Sequence, residues 1–248
     1  MRDRGKILNK TALITGGARR LGRKIAYFLA EEGYDLAIIY HSSPEKELNE
    51  SADYYKTKNI HFKFYKCDIK NLKQLKQTIE QIGTDFQKID LLINNAGIIK
   101  KIEFTEITPE LFDDTINTNL RAAFFTTQYC MDLLNKSENP VIINMASLGG
   151  MQNWTGYFPY SISKTALIKL TYLLARKLAP KIRVNAISPG TIVVENEEAG
   201  TPEKAALEKI PLKKYGNPDN IISTVKYILE NDYVTGQVLA VEGGRLLN

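Results

Sequence analysis

KTALITGGARRLGRKIAYFLAEEG, residues 10–33, decides how this chain folds. An apolar run over residues 10–15 reads as a strand. It passes into Thr15-Gly16-Gly17-Ala18-Arg19-Arg20-Leu21-Gly22, and an amphipathic run over residues 20–32 follows and stops at Gly33. Glycines let a backbone turn sharply and come close to a bound group. The start of the following helix offers unpaired N–H groups and a partial positive charge, which suits the pyrophosphate of a dinucleotide. A glycine-rich turn alone is a weak signal. Its weight here comes from the strand before it and the helix after it.

Working outward, short apolar runs keep alternating with longer amphipathic ones. Strands are expected at residues 35–40 (DLAIIY), 60–66, 89–94 (IDLLIN), 140–146 (PVIINMA), 181–187 and 237–241 (QVLAV). Helices are expected at 44–58, 71–86, 119–135, 158–178 and 218–230, with a further one opened by Thr108 as N-cap and Pro109 in the first turn. This alternation implies right-handed crossovers and strands buried on both faces. The expectation is a doubly wound α/β Rossmann fold, a seven-stranded parallel sheet with helices on both faces, in one domain spanning residues 1–248. Residues 191–210 (TIVVENEEAGTPEKAALEKI) carry no clear element and read as a candidate substrate lid.

Composition narrows the function classes. The chain has 248 residues and a net charge of +5, with its basic residues scattered rather than clustered. That pattern argues against nucleic acid and suits steering of anionic small molecules. No apolar run is long enough to span a membrane, and the charged start MRDRGKILNK is no signal peptide. Cys67 and Cys130 are far apart in apolar contexts, and no ligand spacing suggests a metal. The reading is a cytoplasmic protein with reduced thiols and a small-molecule substrate.

The end of the second strand bears on the cofactor. A carboxylate there would hold the adenosine ribose of NAD. The sequence instead has Tyr40-His41-Ser42-Ser43, with Arg19 in the turn. A cation with hydroxyls suits a 2′-phosphate, so NADPH/NADP is the expected cofactor. His41 reads equally as a cofactor contact and as an ordinary exposed histidine.

Tyr160-Ser161-Ile162-Ser163-Lys164 falls on an expected helix, where positions i and i+4 share a face. A cation about 4 Å from a phenol contributes roughly 4 kcal/mol at an effective dielectric of about 20. Lys164 is therefore expected to pull the Tyr160 hydroxyl below its usual titration range and make it a proton donor.

With these motifs together, the chain resembles the short-chain dehydrogenase/reductase family over nearly its whole length. The turn with Gly16, Arg19, Arg20, Leu21 and Gly22 resembles the family's glycine-rich turn. Asp68 matches the aspartate that contacts adenine, and Asn94-Asn95-Ala96-Gly97 matches the family's NNAG motif. Asn119 matches its helix asparagine, and Ser147 lies thirteen residues before Tyr160, the family spacing. Pro189-Gly190-Thr191-Ile192 resembles the segment beside the nicotinamide, and Thr235-Gly236-Gln237 with Glu242-Gly243-Gly244 resembles its C-terminal signature.

The resemblance implies a catalytic set of Asn119, Ser147, Tyr160 and Lys164. Ser147 would hold the substrate carbonyl, and Tyr160 would protonate its oxygen as hydride arrives at carbon. Lys164 would bind the nicotinamide ribose, and Asn119 would hold a water leading to solvent. It further implies cofactor contacts from the turn, from His41, Ser42, Asp68, Asn94, Ala96 and Gly97, from Tyr160 and Lys164, and from Pro189, Gly190 and Ile192. A homo-oligomer, tetramer or dimer, is also implied.

Two features pull the substrate reading apart. Arg20 stands where the family usually has glycine. With the aromatic segment Trp154–Tyr160, it resembles pteridine reductases. Ser147 and Gly97 instead follow the 3-oxoacyl-carrier-protein reductases. Three readings stay open: reduction of a 3-oxoacyl thioester or similar ketone, reduction of a pteridine or dihydrofolate, and a non-catalytic NADPH-binding protein.

Overall fold

The computed structural model describes residues 10–194 and 207–247. Most of the candidate lid at 191–210 lies outside the described residues. Seven strands form one sheet: β1 (Thr11–Thr15), β2 (Asp35–Tyr40), β3 (Phe62–Lys66), β4 (Leu91–Asn94), β5 (Val141–Met145), β6 (Arg183–Pro189) and β7 (Val238–Val241). Their order is β3-β2-β1-β4-β5-β6-β7, every pairing parallel. The helices are α1 (Arg20–Glu31), α2 (Glu45–Thr57), α3 (Leu72–Phe86), α4 (Pro109–Ile116), α5 (Ala122–Tyr129), α6 (Met131–Asn135), α7 (Phe158–Leu178) and α8 (Pro218–Glu230).

Side chains alternate across the strands, so each face has its own core. Ala12, Ile14, Ile38 and Ile93 pack with Ile25 and Leu29 of α1 and with Ile221, Val225 and Ile228 of α8. Leu13, Leu92, Ile142 and Val184 pack on the opposite face with Leu75, Ile79 and Ile82 of α3 and with Cys130. The near-continuous apolar strands of the sequence are explained by this two-sided burial. Both cysteines are free and buried. Among the described residues, no helix is long and apolar enough to cross a membrane.

Strand order reverses between β1 and β4, and a crevice opens there at the carboxyl ends of the strands. Thr15 and Asn94 are register partners at that point. The Thr15 hydroxyl accepts hydrogen bonds from the Asn95 and Ala96 N–H groups at 3.0 and 3.1 Å. Asn95 Nδ2 returns donors to Thr15 O and Gly16 O at 3.0 and 3.1 Å. The glycine turn and the NNAG segment are thus fixed to each other.

The long helix expected over residues 119–135 is not a single helix. α4 passes into a π-helical stretch, Asn117–Arg121, before α5, and α5 ends at Cys130. A π turn widens the backbone ladder by one residue and is found most often at functional sites. Here it carries Asn119. An apolar period reports which face is buried and does not report an inserted residue.

Candidate active site

Residues of the sequence motifs converge on one cleft of about 630 Å³. That volume lies within the range of small-molecule sites. The glycine turn, Tyr40–Ser43, Asp68, Ala96, Gly97, Ser147, Tyr160, Lys164 and the segment from Pro189 all line it.

At the nucleotide end, Gly22 packs so tightly that a Cβ there would lie 2.2 Å from Gly16 O and 2.6 Å from Asn95 Nδ2. The turn closes only with glycine at that position. Gly16 adopts φ +67°, the left-handed region glycine occupies freely. Arg20 also adopts a positive φ, 49°, without being glycine. This strain lies at the cleft wall. Arg19 Nη1 donates to Ser42 O at 3.5 Å, joining the turn to the end of β2.

At the chemical end, β5 delivers Ser147 and α7 delivers Tyr160 and Lys164. The Ser147 hydroxyl accepts from Gly149 N–H at 3.0 Å, so the serine both caps a short 3-10 turn and faces the phenol. Lys164 is buried and donates to Met145 O at 2.8 Å, while its Nζ lies 5.8 Å from the Tyr160 ring centroid. Burial pushes the Lys164 ammonium down to about 8. Burial pushes the Tyr160 phenol up, and the hydrogen bond with Ser147 pulls it part of the way back. The expected lowering of Tyr160 by Lys164 is therefore corrected. Both groups lose water when buried, and for the phenol that cost exceeds the help from its neighbours.

Asn119 is buried behind the cleft. Its Oδ1 accepts from Ile98 N–H at 2.8 Å, and its Nδ2 donates to Ile98 O at 2.9 Å and to Ser163 Oγ at 3.0 Å. One amide thus ties the π turn to the loop after β4 and to α7. Gly97 leaves the space beside it: a Cβ there would lie 3.1 Å from Asn119 Oδ1 and 3.4 Å from Lys164 Nζ.

Comparison with known proteins fixes what this cleft belongs to. A family model described as enoyl-(acyl carrier protein) reductase matches residues 16–245. The 3-oxoacyl-[acyl-carrier-protein] reductase of Staphylococcus epidermidis is 34% identical over 242 residues, covering 96% of this chain and 99% of that one.

The chain belongs to the short-chain dehydrogenase/reductase family.

A blue fluorescent protein from a metagenomic library, solved in complex with NADPH, superimposes with a TM-score of 0.89 at 31% identity, covering 96% of this chain and 98% of that one. An NAD+-bound xylitol dehydrogenase superimposes with a TM-score of 0.86 at 27% identity, covering 96% and 100%. As a short-chain dehydrogenase/reductase, the chain is an oxidoreductase whose family binds a nicotinamide cofactor.

Two residues expected at the site from sequence, Asn119 and Asn94, are not among those that line the cleft. The Asn94 side chain turns away from the cleft, donating to Thr127 Oγ1 at 3.1 Å and Asn144 Oδ1 at 2.9 Å inside the sheet. Asn95, its neighbour, lines the cleft instead. The motif was legible, but which asparagine faces the cleft depends on how the chain leaves β4.

An ion pair that the sequence does not mark lies at the cleft wall near Asp68. Lys70 Nζ lies 2.7 Å from Asp114 Oδ1, and both residues line the cleft. They are 44 positions apart, and nothing in either segment marks them as partners. Glu47 is likewise not marked by the sequence. The end of β2 does lack a carboxylate, yet α2 brings one back: Glu47 Oε2 lies 3.7 Å from Arg19 Nε.

Proposed function

We propose that this enzyme reduces a carbonyl group with NADPH, using Tyr160 as proton donor, and that its substrate is a 3-oxoacyl thioester or a similar ketone. The observation that carries the reading is the pairing of Ser147 with Tyr160 beside a buried Lys164, in the same cleft that the glycine turn lines. Similarity to the 3-oxoacyl-carrier-protein reductase supports the substrate class. Arg19 with Ser42 and Ser43 supports NADPH, and the NADPH complex of a close structural neighbour agrees with it.

The cleft fits a dinucleotide. The tight Gly16–Gly22 approach and the start of α1 suit a pyrophosphate, and Asp68, which lines the same cleft, would contact the adenine. When bound, the reduced nicotinamide would supply the hydride that the substrate carbon takes up. Ser147 donates to the substrate oxygen and orients it against Tyr160. The Tyr160 phenol keeps its proton through the neutral range, because burial holds its affinity high, and releases it to the oxygen as negative charge develops. Lys164 carries its charge at neutral pH and stabilises the phenolate that remains. Asn119 acts as a positioning residue by holding Ile98 and Ser163 in place.

A second reading, reduction of a pteridine or dihydrofolate, is favoured by one observation. Arg20, the residue that resembles the pteridine reductases, holds a strained backbone at the cleft wall. One assay separates the two. Loss of 340 nm absorbance is followed with NADPH and either short 3-oxoacyl thioesters or dihydrobiopterin. Turnover of the thioesters is expected. Turnover confined to the pterin overturns the substrate class and leaves the catalytic assignment standing.

The exposed apolar side chains Phe112, Phe124, Tyr172 and Leu173 on α4, α5 and α7 support a homo-oligomer, tetramer or dimer.

A further inference from the structure

Arg19 does not face the cleft as a lone cation. Its Nε lies 3.7 Å from Glu47 Oε2, and its Nη1 reaches Ser42 O. Glu47 stands in the first turn of α2, and the path from Ser42 through Pro44 folds it back over the glycine turn. Arg19 lines the cleft and Glu47 does not, so the carboxylate sits behind the guanidinium. Its Oε2 has no exposed surface and accepts no hydrogen bond. The charge on that oxygen is balanced by the Arg19 guanidinium, and the Glu47 side chain as a whole is only partly buried. The pair is also too long for a direct hydrogen bond, so the guanidinium keeps N–H donors for another acceptor.

Electrostatics gives the consequence. A 2′-phosphate approaching Arg19 meets the attraction of the guanidinium and, just beyond it, the repulsion of Glu47. A 2′-hydroxyl is neutral and feels little of either. The carboxylate thus weakens binding of the phosphorylated cofactor more than of the plain one.

We propose that Glu47 is a positioning residue that sets cofactor selectivity, holding Arg19 against α2 and restraining its attraction for the 2′-phosphate. This rests on the NADPH reading only in naming the phosphate. The selectivity ratio tests it whichever cofactor the wild type prefers.

The experiment is binding, not turnover. Dissociation constants for NADP+ and NAD+ are measured by titration calorimetry for the wild type, Glu47→Gln and Glu47→Asp, with melting temperatures to show that each variant is folded. Adenosine 2′,5′-bisphosphate and AMP serve as the matched fragments. Glu47→Gln keeps shape and removes charge. It is expected to tighten NADP+ about fivefold, with NAD+ changed by less than about twofold, the scale of one partly exposed charge interaction. Glu47→Asp keeps the charge one methylene further back and is expected to fall between the two. An unchanged ratio in Glu47→Gln overturns the proposal. Weaker NADP+ binding also overturns it, because Glu47 would then support Arg19 rather than restrain it. Should the wild type bind NAD+ more tightly than NADP+, the NADPH reading fails on its own, and the shift in Glu47→Gln still decides the role of Glu47.

Discussion

The two ends of the cleft are built from different materials. The nucleotide end is mostly backbone: a glycine turn, the start of α1 and strand ends, with Arg19, His41 and Ser42 exposed around it. The chemical end is buried side chains: Asn119, Ser147, Ser163 and Lys164 are all below a tenth exposed and are held by short hydrogen bonds. Backbone recognises a phosphate through geometry and tolerates many flanking side chains. Charge in a buried group is instead set by every neighbour, so the chemical end tolerates few changes. The difference teaches where each kind of failure should appear. Damage to the turn should cost binding, and damage to the buried set should cost turnover or change pH behaviour.

The largest effect expected at the nucleotide end comes from Gly22→Ala. The added Cβ meets Gly16 O, which is fixed backbone, so the turn must open. Both NADP+ and NAD+ should bind at least about tenfold more weakly, with a stability loss of about 2–3 kcal/mol, by calorimetry and denaturant unfolding. Gly33→Ala is the control. Gly33 has φ +78° with nothing within 4 Å of an added Cβ, so it should cost about 1 kcal/mol of stability and leave binding alone. Equal effects on binding from both variants would break the comparison.

A smaller effect sharpens the other end. Lys164 titrates near 8 in the folded chain, below its usual value of 10.5. Between these values the unfolded chain holds a proton that the folded chain has released, so this group makes stability rise with pH across that window. Below about pH 8 both states are protonated and its contribution is flat. Unfolding free energies from pH 8 to 10 should therefore climb more steeply in the wild type than in Lys164→Gln, by up to about 1.4 kcal/mol per pH unit. Parallel slopes would mean that Lys164 is not desolvated.

Much of the fold was legible because its signals are local. The apolar runs marked all seven strands to within a few residues, and Asn71 and Thr108 cap α3 and α4 through their side chains. The glycine turn and the Tyr160–Lys164 spacing were legible for the same reason. The π turn was not, since one inserted residue leaves the apolar period nearly intact. Asn119 was reached only through family resemblance, because a single buried asparagine carries no spacing of its own. Glu47 and the Lys70–Asp114 pair were missed because their partners lie far away in sequence. The direction of the Tyr160 shift depends on burial, which the i, i+4 geometry does not contain.

The central claim is that Tyr160 performs the chemistry while the rest of the cleft binds. Tyr160→Phe removes one oxygen atom from that buried set. NADPH affinity and turnover of a 3-oxoacyl thioester are measured on the same preparation. The account predicts a turnover loss of about 10³-fold or more with NADPH affinity within about twofold of the wild type. Turnover kept within about tenfold would contradict it, because the proton would then come from another group.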